Sequence, residues 1–210
     1  MNTTEVKYNN NIKSFKELYK YARKQFLLYE KLEGIDDWEK YDFSIDCSED
    51  QMKFKDMLQI RFIEELTEAS ISINEPEEHF WEEIGDAINF FLSAFVMVGV
   101  DFKSLKNPEE LLYSDKEITH GIMKKPTYKK FSKEVYPTIE SVGYLCNLLK
   151  NRPWAQSNYL VSLLDFDERL NRLWNNFWIF LGNMQIQPED VFELFWRKYQ
   201  VNLFRIKTGY

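Results

Sequence analysis

Glycine and proline are scarce in this chain, and their scarcity limits its possible folds more than any other feature. Only seven glycines and six prolines occur in 210 residues, too few for the many tight turns of a sheet protein. The long stretches between them repeat apolar residues every three to four positions, which is the period of an amphipathic helix. The sequence therefore predicts an all-α fold.

Six main helices are predicted, at about 14–33, 51–73, 77–99, 132–150, 156–183 and 188–205. Ser14 and Glu17 have the spacing of a capping box, and Pro188 suits the first position of the last helix. The segment 103–133 is rich in Lys, Pro and Ser and interrupts the helical pattern, so we expect an insertion there, either a loop or short helices on the surface. We expect one helical bundle, a single domain over residues 1–210.

Charge and cysteine usage narrow the class of partner. With 34 acidic and 27 basic residues the net charge is -7, which argues against a nucleic-acid partner because phosphate neutralisation needs the opposite sign. The most apolar stretch, "AINFFLSAFVMVGV", is too short to cross a bilayer, and the N-terminus lacks the apolar core of a signal peptide. Cys47 and Cys146 stand alone, without the spacing of a zinc site or disulfide framework. A cytoplasmic location without membrane contact is expected.

Two acidic motifs lie on consecutive predicted helices. The stretch "RFIEELTEAS" carries Glu64, Glu65 and Glu68, and "HFWEEIGDAINFF" carries Glu83 and Asp86. Residues three or four apart share a helix face, so each motif places its carboxylates side by side. The connection "NEP" between the helices suits a short antiparallel turn, which would bring the two acidic faces together.

Two interpretations of these motifs compete. Charged residues commonly cover the solvated faces of helices, and that reading suffices for the first motif alone. Asp86, however, opens a helix that is apolar nearly all round, where an uncompensated carboxylate would cost several kcal/mol to bury. A cluster of carboxylates needs cations inside it, and hard oxygen ligands suit Mg²⁺, with Mn²⁺ as the alternative.

The order of the motifs resembles a known family. Glu64-Glu65-Leu66-Thr67-Glu68 followed by Glu83-Ile84-Gly85-Asp86 is similar to the EExxE…ExxD signature of the all-α nucleoside triphosphate pyrophosphohydrolases. That superfamily includes the MazG-like enzymes and the dimeric dUTP and dCTP diphosphatases. The C-terminal "KYQVNLFRIKTGY" is similar to the K-x3-N-x2-R-x3-G-Y motif that closes the dimeric dUTPase branch. Two motifs in the family's order are more specific than either alone.

The resemblance implies an activity and a metal site. It implies that Glu65, Glu68, Glu83 and Asp86 hold Mg²⁺ and that Glu65 takes the proton from the attacking water. The implied reaction converts a nucleoside triphosphate, with dUTP favoured and dCTP as a further substrate, into the monophosphate and pyrophosphate. The resemblance also implies a homodimer. The chemistry agrees, because a bound metal activates water and neutralises phosphoryl charge without a covalent nucleophile.

Substrate-binding residues are expected mainly in the C-terminal motif. Lys198, Asn202 and Arg205 share one helical face, where an ammonium and a guanidinium would pair with phosphate oxygens. Gly209 is expected to end the helix and let Tyr210 fold back towards the ligand. Asn89 stands where the family often has a histidine, and it could either donate a hydrogen bond to a sugar hydroxyl or satisfy a polar spot in the core.

Two other functions remain open at this point. The family's uracil-reading segment in the N-terminal helix is replaced by "LLYEKLEGI", which offers Tyr29, Glu30 and Glu33. This replacement favours a MazG-like house-cleaning enzyme that acts on other or modified nucleotides. The third possibility is a non-catalytic helical module that binds a nucleotide or a protein.

Overall fold

The fold is known from a computed structural model that describes residues 10–32, 43–113, 124–149 and 161–209. Over these ranges the chain is helical, which confirms the all-α prediction. The elements are α1 (Phe15–Leu32), α2 (Ser48–Lys55), a π-helical segment (Asp56–Phe62), α3 (Ile63–Ser72), α4 (Glu77–Met97), α5 (Pro108–Leu112), α6 (Tyr128–Leu148), α7 (Leu163–Asn183) and α8 (Pro188–Thr208). Tyr210, and part of the helix predicted over 156–183, lie outside the described residues.

The expected capping signals mark the helix ends. The Glu17 N–H donates to Ser14 Oγ at 3.3 Å and the Lys13 N–H donates to Glu17 Oε2 at 2.7 Å, so both residues of the predicted box take part. At the start of α8 the Gln187 N–H donates to Asp190 Oδ2 at 2.9 Å. Gly209 caps α8 with a φ of 66°, a conformation that glycine adopts without steric cost. The sequence therefore predicted these boundaries from local chemistry.

Helix α4 lies at the centre of the bundle and packs against α1, α3 and α8. Its aromatic side chains meet those of α7: the Phe91 ring lies 4.1 Å from Phe177 and 5.7 Å from Trp174, centroid to centroid. Such aromatic pairs contribute about 0.5–1.5 kcal/mol each beyond the area that they bury. Although α4 is the most apolar helix, no helix of the described ranges is long and apolar enough to span a membrane. The apolar face of α4 is thus used for packing, and its acidic edge remains for other roles.

The helix predicted over 51–73 is interrupted by the π-helical segment. Its buried residues are spaced by four and are at most 2% exposed: Phe54, Leu58, Phe62 and Leu66. Steps of four overshoot an α-helical turn by about 40° each, so in a regular helix this stripe would drift about 120° around the axis. The i→i+5 bonding of a π turn takes up the extra residue. Leu66 therefore stays on the buried side, and the neighbouring Glu65 is presented to α4.

Shortening this segment by one residue should be tolerated. We expect a variant that lacks the exposed Ile60 to wind as an ordinary α-helix and keep its thermal unfolding temperature within a few degrees of the parent. Deleting Asn171, which is exposed within the regular helix α7, should instead rotate the following buried residues by about 100° and unfold the protein. Circular dichroism during heating measures both, and equal destabilisation by the two deletions would contradict this account of the π segment.

The prediction that the segment 103–133 lies on the surface is wrong for the apolar residues of its first part. Leu105, Leu111 and Leu112 are at most 9% exposed, and the Trp174 indole N–H donates to the Lys106 carbonyl oxygen at 2.9 Å. These contacts tie the segment to α7. The five residues of α5 are too few to show a helical period in the sequence, whereas the polar residues around them look like a loop. Residues 114–123 lie outside the described ranges.

Gly182 is required where α5 meets α7. A Cβ added there would lie 2.4 Å from the Leu112 carbonyl oxygen, which is backbone and cannot turn away. We expect Gly182→Ala to lower the free energy of unfolding by about 1–3 kcal/mol. Gly143→Ala is the matched control, because a Cβ at that helical position meets nothing within 4 Å and should stabilise by about 0.5–1 kcal/mol. Urea denaturation compares the two, and equal effects would argue against the close approach.

Candidate functional site

The turn between α3 and α4 brings the two acidic motifs together. Asn74 to Pro76 separate the helices, and the antiparallel packing places one carboxylate oxygen each of Glu65, Glu83 and Asp86 within 4.8 Å of one another. All three side chains are half-buried. These residues, called the carboxylate triad below, come from both motifs, so the expected convergence of the motifs is found for three of the four predicted ligands.

The carboxylate triad resists ionisation. Burial, the charge of Asp86 and a hydrogen bond with Glu83 raise the pKa of Glu65 to about 8. The pKa of Glu83 is also raised, chiefly by burial, although its hydrogen bond with Glu65 opposes the change. Burial raises the pKa of Asp86 against the lowering effect of Lys198. Glu65 and Glu83 therefore share a hydrogen bond that needs a proton on one of them, and a cation could take the place of that proton.

Glu68, the fourth predicted ligand, lies at the rim. Its side chain is exposed and does not belong to the triad. It lies close enough for its charge to raise the pKa of both Glu65 and Glu83. Glu64 is exposed as well. The structure thus brings Glu65 inward and leaves the other two glutamates of the first motif on the solvent side.

Helix α8 supplies the basic groups of the site. The Lys198 ammonium donates to Asp86 Oδ2 in an ion pair whose side chains are 24% and 13% exposed. One turn earlier in α8, the Leu194 carbonyl oxygen would lie 3.4 Å from a Cβ on Gly85, which is ordinary van der Waals contact between the two helices. Arg205 is exposed, and its charge lowers the pKa of Asp86. Two of the predicted phosphate-binding residues therefore border the triad.

The other predicted substrate-binding residues have different surroundings. Asn202 lies between Lys198 and Arg205 on α8 and is 6% exposed. Tyr210 lies outside the described residues. Asn89 is buried, its amide donates to the Gly85 carbonyl oxygen at 2.8 Å, and its Oδ1 accepts from Gln25 Nε2 at 2.9 Å. Asn89 therefore holds another side chain in place, and its role in sugar binding stays a prediction.

Gln25 is the residue that the sequence analysis missed. It is 4% exposed, and its carbonyl oxygen has no hydrogen-bond partner among the described residues. Tyr29 lies one turn later on α1. Burial raises the pKa of its phenol, the charge of Arg205 lowers it and the charge of Asp86 raises it further. Gln25 stands four residues before Tyr29 and so shares its helix face, which is the signal that could have identified it.

Comparison with family models, with curated proteins and with solved structures finds no match for this chain.

The raised pKa of Glu65 predicts a pH-dependent stability for the protein without metal. Between its ordinary value of 4.5 and the folded value of about 8, the unfolded chain ionises while the folded chain keeps its proton. The folded state binds more protons in this window, so the free energy of unfolding should fall as pH rises through it. Urea denaturation in EDTA, from about pH 5 to about pH 8, measures the slope.

Glu65→Gln is the control for this prediction, since an amide cannot ionise. The variant should lose most of the decline over that pH range, while Glu64→Gln, on the exposed neighbour, should keep it. Parallel pH profiles for the parent and Glu65→Gln would show that Glu65 ionises normally in the folded protein.

Proposed function

We propose that this protein is a Mg²⁺-dependent nucleoside triphosphate diphosphatase, with dUTP as the favoured substrate and dUMP and pyrophosphate as products. The observation that carries the proposal is the convergence of Glu65, Glu83 and Asp86 beside the basic groups Lys198 and Arg205 of α8. A carboxylate cluster next to an ammonium and a guanidinium suits a cation and a polyphosphate bound together. Dimeric dUTPases, whose motifs the sequence resembles, combine the same kinds of group.

The carboxylate triad fits Mg²⁺ or Mn²⁺ in both chemistry and spacing. Its three donors are oxygens within 4.8 Å of one another. Octahedral Mg²⁺ holds oxygens at about 2.0–2.1 Å, which places its ligands roughly 2.9–4.2 Å apart, so the side chains need to close only slightly. Burial is the largest cause of the raised pKa of all three carboxyls, and a bound cation would favour their ionised form. Mg²⁺ bound there would activate water and neutralise charge on the phosphoryl oxygens.

The residues of the site would have distinct roles in the hydrolysis. Glu65 would accept the proton of the attacking water in its ionised form, which a bound cation favours over the protonated form of the metal-free protein. Lys198 and Arg205 bind the phosphate oxygens and stabilise the negative charge of the departing pyrophosphate. The water oxygen forms the new bond to phosphorus as the bond to the leaving oxygen breaks. Glu68, at the rim, is proposed as a further ligand that reaches in when the metal is bound.

Gln25 is proposed to accept a hydrogen bond from the base, because it contacts Asn89, one helical turn of α4 from Asp86. Its buried carbonyl oxygen has no partner among the described residues, and such an orphaned acceptor costs about 1–3 kcal/mol. A uracil imide would offer the missing donor. The amide of Gln25 is held by Asn89, so its oxygen is presented in a fixed orientation.

Related activities belong to the same proposal. dCTP is a further substrate, and a MazG-like enzyme for other or modified nucleotides has the same triad chemistry with a different base. Such an enzyme would act on the nucleotide pool of the cytoplasm as a homodimer. A module that binds nucleotide without hydrolysis is the non-enzymatic alternative.

Hydrolysis of a nucleotide panel tests the proposal. The purified protein with Mg²⁺ should release pyrophosphate from dUTP faster than from dCTP, dTTP, dATP or dGTP. Glu65→Gln should reduce the rate by about 10²–10⁴-fold, the usual contribution of a general base, and should remain folded because the parent carboxyl already holds its proton up to a pKa of about 8. Glu64→Gln is the matched control and should keep most of the activity.

Different outcomes point to different functions. Turnover of another nucleotide in preference to dUTP would support the house-cleaning alternative. Calorimetric binding of Mg²⁺ and nucleotide without pyrophosphate release would support the non-catalytic module. Unchanged activity in Glu65→Gln would remove the assignment of this residue as the base.

A further inference from the structure

A lysine already occupies part of the site that we assign to the divalent cation. The Lys198 ammonium pairs with Asp86, and this is the only ion pair that the carboxylate triad makes with a basic side chain among the described residues. With Asp86 13% exposed and Lys198 24% exposed, water screens the pair only in part. In the protein without ligands, Lys198 is therefore the counter-ion of the triad.

The backbone beneath Lys198 is held in place while its side chain is long enough to move. Leu194, one turn earlier, packs its carbonyl group against Gly85, and Tyr199 is 1% exposed. The ammonium stands on a flexible four-carbon stem. Lys198 can thus leave Asp86 by rotation of its side chain without displacing α8.

A buried amide lies close to the triad along α4. Gln25, 4% exposed, has a carbonyl oxygen without a partner among the described residues. Its amide donates to Asn89, one helical turn along α4 from Asp86. The triad is therefore not an isolated acidic patch.

A divalent cation and the Lys198 ammonium would compete for Asp86. Both are attracted by the same carboxylate, and at a separation of a few ångströms in a partly buried site they repel each other by several kcal/mol. Once displaced, the ammonium would lie on the same side of α8 as the Arg205 guanidinium. The charge of Arg205 also acts on Asp86, whose pKa it lowers. Two neighbouring positive groups without an anion are unfavourable, and a polyphosphate would supply that anion.

We propose that Lys198 couples cation binding to polyphosphate binding, by pairing with Asp86 in the free protein and with the polyphosphate once a cation has taken Asp86. This inference rests on the proposed function, since it concerns the same site. The free protein then binds the cation alone weakly and binds it together with a polyphosphate tightly. The site is filled by the metal complex of the substrate rather than by the ion followed by the nucleotide.

Two binding constants should change in opposite directions when the charge of Lys198 is removed. Lys198→Met keeps an unbranched side chain, shorter by one atom, and loses the ammonium. Mg²⁺ alone should bind the variant roughly 5- to 20-fold more tightly, at the low end of the usual range of coupling between sites. Inorganic pyrophosphate at saturating Mg²⁺ should bind about tenfold or more weakly, since a charge-assisted bond is lost.

A purely structural role for Lys198 predicts another pattern. If the ion pair only held α4 against α8, its loss would disorder the triad and weaken both ligands together. Opposite shifts of the two constants therefore separate the coupling role from the structural one.

Isothermal titration calorimetry of the full chain measures both constants in the parent, in Lys198→Met and in Lys198→Gln, with circular dichroism to verify folding. Lys207→Met, which removes an exposed charge of α8, is the control and should leave the affinity for Mg²⁺ unchanged within about twofold. Lys198→Gln keeps the test decisive if Lys198→Met does not fold.

Each outcome has one meaning. Tighter Mg²⁺ binding together with weaker pyrophosphate binding supports the coupling. Unchanged or weaker Mg²⁺ binding in the folded variants, or unchanged pyrophosphate binding, overturns it while leaving the metal site in place. Failure of the parent to bind Mg²⁺ even with pyrophosphate present would overturn the proposed function itself.

Discussion

The repulsion among Glu65, Glu83 and Asp86 is the constraint around which this structure is organised. Three carboxylates with oxygens within 4.8 Å would drive α3 and α4 apart if nothing offset their charge. The bundle offsets it with one ammonium from α8 and with a proton held on Glu65. The pKa values of all three carboxyls are nevertheless raised, chiefly by burial and further by their neighbouring carboxylates. The site is thus less stable than an apolar surface would be, which is common where a protein keeps groups for a ligand.

The apolar contacts on the far side of α4 offset this cost. Phe91 packs against Phe177 and Trp174. The ring of Phe62, at the end of the π-helical segment, packs against the ring of Phe91 with 5.5 Å between their centroids. The same helix therefore presents an aromatic face to the core and an acidic edge to the site. Rotation of α3 about its axis would lose the apolar stripe and the triad together, so core packing and the orientation of Glu65 depend on each other. The π winding allows both.

Much of the fold was predictable because it follows from local chemistry. Neighbouring residues determine the capping by Ser14 and Gln187 and the turn at Pro76. The convergence of the two motifs follows from the short antiparallel connection between their helices. The π-helical segment was not predicted, although the four-residue spacing from Phe54 to Leu66 carries its signal. The burial of Leu105, Leu111 and Leu112 was missed because α5 is shorter than the window in which a helical period shows.

The site was predicted in part for similar reasons. Spacing places Glu65 and Glu68 on one face, but only the packing of α3 on α4 decides that Glu65 turns inward and Glu68 stays at the rim. The pairing of Lys198 with Asp86 joins residues 112 positions apart in the chain, which no local pattern reveals. Gln25 was missed because a single polar residue on a helix face carries no chemical signature until its partner, Asn89, is known. Tertiary contacts therefore supply what sequence periodicity cannot.

The central claim is that the carboxylate triad holds a divalent cation, and anomalous X-ray diffraction tests it most directly. Crystals grown with Mn²⁺ and pyrophosphate, measured at the manganese absorption edge, should show an anomalous peak between the carboxylates of Glu65, Glu83 and Asp86. In crystals of Glu65→Gln that peak should weaken or vanish. A peak at other carboxylates only, or none at saturating Mn²⁺, would contradict the account.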